Sequence, residues 1–138
     1  MIKEDYVSFE TAKLLKEKGF ECEKNSTTAM YNELGVFLPL STAAEELYRD
    51  YNDFDEYDYI APTLQMAMKW LRVVHNIQIV VNRYPAAINA EARKPWYTEI
   101  VILKPVNEVD EEFDLEDDYN TYEEACEAAI KYCLENLI

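Results

Sequence analysis

Glycine is the first scarcity. Gly19 and Gly35 are the only two in 138 residues, and neither has a companion, so a glycine loop cradling a phosphate is excluded. Histidine is scarcer still. His75 stands alone, which removes most catalytic triads and most zinc sites. Three cysteines, Cys22, Cys126 and Cys133, form an odd and widely spaced set, which is no disulfide framework. Cys126 and Cys133 would lie roughly 10 Å apart on one helix, beyond bridging distance. No close CxxC-type pair is present, and all three read as small buried hydrophobes. No apolar run is long enough to span a bilayer, and the opening MIKEDYVSFE lacks the basic and apolar regions of a secretion signal. These absences predict a soluble chain in the cytoplasm of its host cell.

Bases are short as well. Thirteen Lys and Arg stand against 28 Asp and Glu, a net charge of −15. That balance opposes direct binding to nucleic acid and to anionic membrane. Apolar residues make up 49%, enough for one hydrophobic core in a single domain over 1–138. The charge has a plain reading as a solvated surface. Its sharper reading is a surface aimed at a basic protein partner.

What is present is well-punctuated secondary structure. In Ala61–Leu103, APTLQMAMKWLRVVHN reads as a helix with Pro62 in its first turn. Leu64, Ala67, Met68, Leu71 and Val74 recur at helical spacing, with Ile60 extending the stripe backwards. Asn76 suits a left-handed cap, and from Ile77 the period becomes two. Ile77, Ile79 and Val81 are the inward set of this strand; Trp96–Leu103 is its neighbour. An earlier helix is capped by Ser8, stapled by Val7 and Ala12, and ended by Gly19, with Phe20 folding back on Leu15. Leu14 joins Ala12 and Leu15 on its inward face. In the last helix Thr121 and Glu124 make a capping box, and Tyr122, Ala125, Cys126, Ala129, Ile130, Cys133 and Leu137 form the buried stripe. Between them, Ala29–Leu40 reads as a strand weakened by Gly35 and ended by Pro39. Ala43–Tyr51 reads as a short helix, and Tyr57–Ile60 as a strand. The loop Pro85–Pro95 is long for a hairpin and carries Arg93 and Lys94.

Two segments are strongly acidic, 50–58 and 108–118. The second holds eight acids, interrupted by Val109, Phe113 and Leu115, so part of it packs down. Neither segment has the glycine and closing glutamate of an EF-hand. The candidate partner-binding residues are Asp53, Asp55, Tyr57, Asp110, Glu111, Glu112, Glu116, Asp117 and Asp118. Tyrosines beside acids, as at Tyr57 and Tyr59, suit an amphipathic contact surface. No catalytic residue, metal ligand or cofactor is implied. His75, in the last turn of a helix, fits the negative end of the macrodipole.

Three blocks, VSFETAKLLKEKGF, APTLQMAMKWLRVVHNIQI and YNTYEEACEAAIKYCLENLI, together resemble a group of small proteins from gut Bacteroidales and their phages and mobile elements. The resemblance implies a bacterial or phage context and brings no activity and no site residues with it. Both acidic segments lie outside the shared blocks.

The expected fold is α+β, a small antiparallel sheet with helices mainly on one face. The expected function is a non-enzymatic, acidic binding or regulatory protein, for instance a phage-encoded inhibitor or DNA mimic. The alternative is a small enzyme or divalent-metal-dependent module using surface carboxylates and His75.

Overall fold

Both glycines stand where the backbone turns left-handed. At Gly19 φ is 80° and at Gly35 it is 78°. Each closes a structural element of the first of two units into which the chain divides, Met1–Thr63 and Leu64–Ile138. The structure, a computed structural model, describes residues 2–21, 29–39, 58–85 and 94–138. The class is α+β, with three helices and two three-stranded antiparallel sheets among the described residues.

In the first unit, helix α1 (Phe9–Glu17) is held at both ends. Ser8 Oγ accepts from the Thr11 N–H at 3.2 Å. At the far end the Gly19 N–H donates to Lys16 O and the Phe20 N–H to Leu15 O, the paired bonds of a Schellman ending. Ala12 and Leu15 are buried as expected, and so is Thr11, while Leu14 is only half-buried. The inward face is thus turned toward Thr11, which the Ser8 hydroxyl reaches at 3.2 Å.

The expected single strand over Ala29–Leu40 is a hairpin instead: β1 (Ala29–Tyr31) and β2 (Phe37–Pro39). Asn32 makes the turn, its Oδ1 accepting from Leu34 N and Val36 N at 2.9 and 3.0 Å. Gly35 completes it, where a Cβ would come within 3.1 Å of the Phe9 ring. The residue that weakened the strand is the one that folds it. Strand β3 (Tyr59–Ala61) pairs on the other side of β1, giving the order β2-β1-β3. Helix α1 packs on β3. Rings of Tyr6, Phe9, Tyr31, Phe37 and Tyr59 meet in pairs around this sheet. The helix predicted at Ala43–Tyr51 lies outside the described residues.

In the second unit, helix α2 spans Leu64–His75. Pro62 is not in its first turn: Thr63 is still extended, bridged to Tyr6, and Pro62 O accepts from Val7 N–H at 3.1 Å. Leu64, Ala67 and Leu71 are buried, but Val74 is 55% exposed. The position one turn beyond Leu71 belongs to His75, whose ring lies 4.6 Å from that of Trp70. Asn76, at φ 56°, reverses the chain into β4 (Ile77–Arg83), followed by β5 (Trp96–Ile102) and β6 (Glu111–Tyr119), in the order β4-β5-β6. Helix α3 (Tyr122–Asn136) packs across all three strands and against α2. Thr121 Oγ1 accepts from Glu124 N at 3.1 Å, and Glu124 Oε2 accepts in return from Asn120 N. The buried stripe contains Ala125, Cys126, Ala129, Ile130, Cys133 and Leu134; Tyr122 and Leu137 are half-buried. No helix among the described residues is long and apolar enough to cross a membrane.

Two outcomes test this core. Leu71 is fully buried while Arg72 is exposed. Leu71→Ala should lower stability by about 2–4 kcal/mol and Arg72→Ala by no more than about 0.5 kcal/mol in urea unfolding; equal midpoints would place the wrong face inward. Burial pushes the Cys126 thiol up to about 11 and the Cys133 thiol up to about 12, from an ordinary 9.0. Both stay protonated in the folded chain while the unfolded chain ionises them. Their contribution to stability is therefore complete below pH 9 and lost as pH rises through 11 to 12. Native protein at pH 8 should label at these thiols far more slowly than protein in urea, as read by mass spectrometry of the labelled peptides.

Candidate functional site: an acidic strand at an open sheet edge

The segment Glu108–Asp118 is neither a floating tail nor a loop. Most of it is β6, the longest strand among the described residues. Its apolar residues explain why. Phe113 and Leu115 alternate with Glu112, Asp114 and Glu116, and only the apolar pair is half-buried. Register pairs Ile79 with Ile100 and Ile100 with Phe113, so these three share one face. Phe113 meets the Tyr132 ring of α3, with centroids 6.3 Å apart, which puts the helix on that face. Val109, expected to pack with them, is 90% exposed in the β5–β6 connection, where no strand partner gives it a face to cover.

The opposite face carries the charge. Val80, Glu99 and Asp114 form one cross-strand row, and Gln78, Val101 and Glu112 the next. Glu99 and Asp114 are therefore like charges placed directly opposite, a destabilising arrangement. Further along, the Tyr84 and Tyr97 rings stack at 4.4 Å and the Tyr84 hydroxyl donates to Asp118 Oδ1 at 2.8 Å.

The candidate residues divide by what they already touch. Asp110 Oδ1 accepts from the Lys104 N–H at 2.8 Å and so shapes the β5–β6 connection. Glu111 pairs with Lys104 Nζ at 3.7 Å across solvent. Asp118 is held by Tyr84. Glu112, Glu116 and Asp117 are exposed, and so is Asp114, which the sequence reading left out. Asp53, Asp55, Tyr57 and Arg93 lie outside the described residues, and Lys94 is exposed.

A bulge sits in the middle of the strand. Tyr97 pairs with Asp118 and Glu99 with Asp114, so Thr98 alone stands against Leu115, Glu116 and Asp117. Thr98 is fully buried and its Oγ1 has no hydrogen-bond partner. Beside the bulge, between β6 and α3, runs a groove of about 520 Å³. Phe113, Leu115 and Tyr119 line it from the strand, and Ala128, Lys131 and Tyr132 from the helix. Asp114, Glu116, Asp117 and Glu135 also border it, so acids outnumber the single base. Burial, then the charges of Asp117 and Asp118, raise the Tyr119 pKa, so its hydroxyl stays neutral. Sequence reasoning missed the helix side of this groove because Ala128, Lys131, Tyr132 and Glu135 fall off the buried stripe.

His75 takes no part in this site. It is half-buried at the end of α2, with Nε2 buried and without a hydrogen-bond partner. Among the described residues no three His, Cys, Asp or Glu side chains are grouped as a metal ion would need. No family model matches the chain, and it shows no significant similarity to a curated protein or a solved structure.

The facing carboxylates give a direct check on the electrostatics. Asp114→Asn removes one of two opposed charges and should raise stability by roughly 0.2–1 kcal/mol at low ionic strength. Salt should shrink the difference by raising the wild type more than the variant. A urea midpoint that is unchanged or lower would show that Glu99 and Asp114 do not repel across the ladder.

Proposed function

We propose that the chain is a non-enzymatic binding protein whose acidic strand engages a basic protein partner. The observation that carries this reading is the placement of the acids. Glu112, Asp114, Glu116 and Asp117 are exposed on an ordered strand at a sheet edge. A tract needed only for solubility works as well in a disordered tail; a folded one holds its charges at fixed spacing. With a net charge of −15, direct contact with nucleic acid is opposed, whereas a protein that itself binds nucleic acid presents the complementary surface. Inhibition of such a protein, with the carboxylates standing in for phosphates, is the form this activity takes in our reading.

The test separates charges that are free to bind from charges that hold the fold. Glu112→Gln, Asp114→Asn, Glu116→Gln and Asp117→Asn are combined, while Asp110 and Asp118 are left to their structural hydrogen bonds. The variant should be as stable as the native chain or more so. Native chain should retain basic proteins from a bacterial lysate at low salt and release them as salt rises, because charge complementarity chiefly speeds association. The variant should retain few of them. Identical, salt-insensitive retention by both forms would reduce the acidic strand to a solvated surface.

A further inference from the structure

Strand β6 is paired on one side only. Among the described residues its sole neighbour is β5, so every second residue points its N–H and C=O away from the sheet. From Phe113 onward that strand borders the groove under α3. The groove is bounded on its helix side by Ala128, Lys131, Tyr132 and Glu135, residues at the spacing of one helical stripe. An extended segment laid along β6 would therefore complete a backbone ladder on one side and be overhung by a helix on the other.

We infer that this edge binds by strand addition, and that its occupant is an extended basic segment alternating cationic and apolar side chains. The inference rests on the proposed acidic-surface function and specifies how the partner is held. The alternation follows from the two faces of β6. On the helix side stand Phe113 and Leu115, half-buried, with the Tyr132 ring beyond; on the other side stand Glu112 and Asp114, exposed. A strand added in register sends successive side chains to the same two faces. Its apolar residue beside Phe113 meets the near end of the groove, bounded there by the small Ala128 and by Tyr132, and its cations meet the carboxylates of Glu112 and Asp114. Main-chain hydrogen bonds supply affinity and the alternate side chains supply selectivity. A second copy of this chain is a poor occupant. Edge-to-edge pairing would set Glu111, Glu112, Asp114, Glu116, Asp117 and Asp118 of one molecule against the same six of the other, and like charges opposed on a ladder repel. The bulge over Leu115–Asp117 limits the regular edge to the stretch before it, so the added strand pairs chiefly with Glu111–Asp114.

The probe is a short synthetic peptide alternating lysine and valine, with fluorescence anisotropy on the full chain at low salt as the readout. Its controls are a peptide of identical composition with all lysines at one end, and two versions N-methylated on alternate residues, one on each set. The alternating peptide should bind about tenfold tighter than the block peptide. One N-methylated version should lose about tenfold or more in affinity and the other little, since only one set of N–H groups faces β6. Amide hydrogen exchange should show protection gained at alternate residues of Glu111–Asp114. Equal binding of alternating and block peptides, abolished by neutralising the acids and without protection on β6, overturns strand addition and leaves the acidic-surface reading standing. Absence of binding by every lysine peptide at low salt overturns both.

Discussion

The approach of α3 to the sheet is set by small side chains. Ala125, Cys126, Ala129 and Cys133 fill much of the buried stripe, and with so little volume between backbone and strands the helix can lie close across β4, β5 and β6. The larger Ile130 and Leu134 complete the contact. Everything at the acidic edge depends on this closeness. Phe113 has a ring to meet only because Tyr132 is held above it, and without that apolar anchor a strand with six acids has little reason to stay on the sheet. Each of the two cysteines is neutral for the same reason it is useful there: a thiol in a dry interface packs as a small hydrophobe.

Elements whose signals are local were legible in the sequence. Ser8, Gly19 and Thr121 each mark a boundary through a hydrogen bond to near neighbours, Asn76 marks one through its own left-handed φ, and each boundary is where it was expected. The inward set of β4 follows from its own alternation in the first half of the strand, where Ile77 and Ile79 are buried and Gln78 exposed, but Val81 is only half-buried, like Val80 and Asn82 on either side of it. The failures involve partners distant in sequence. Pro62 suits a first helical turn by its local sequence alone, and nothing local shows that Thr63 bridges back to Tyr6. Gly35 argued against a strand, though in fact it joins two strands around Asn32. The strand character of Glu111–Tyr119 was hidden for a compositional reason: acids are poor strand formers, and Phe113 and Leu115 are too few to outweigh them until β5 and α3 are in place. Tyr119 and Tyr132 could not be assigned to a groove from the sequence, since the groove exists only where an edge strand and a helix come together.

Seen in this way, the acidic strand combines two opposed tendencies. Acids along an exposed edge discourage uncontrolled pairing with other chains, and the bulge at Leu115–Asp117 interrupts whatever regular edge remains. The same features narrow the set of segments that can pair. The acids that make the strand repel its own kind are the same ones on which the proposed contact with a basic partner rests.

The order β4-β5-β6 has a kinetic consequence. Each strand of this sheet pairs with its neighbour in the chain, so closure spans only residues 84–95 and then 103–110. In the other sheet β3 must find β1 across residues 32–58. Closing that span instead of 103–110 adds about 1 kcal/mol of chain entropy, and the three-residue strands of that sheet give little in return. Native pairing of low sequence separation forms fastest. The meander that carries the acidic edge thus closes over shorter spans than the pairing of β3 with β1, with α3 following directly to cover it.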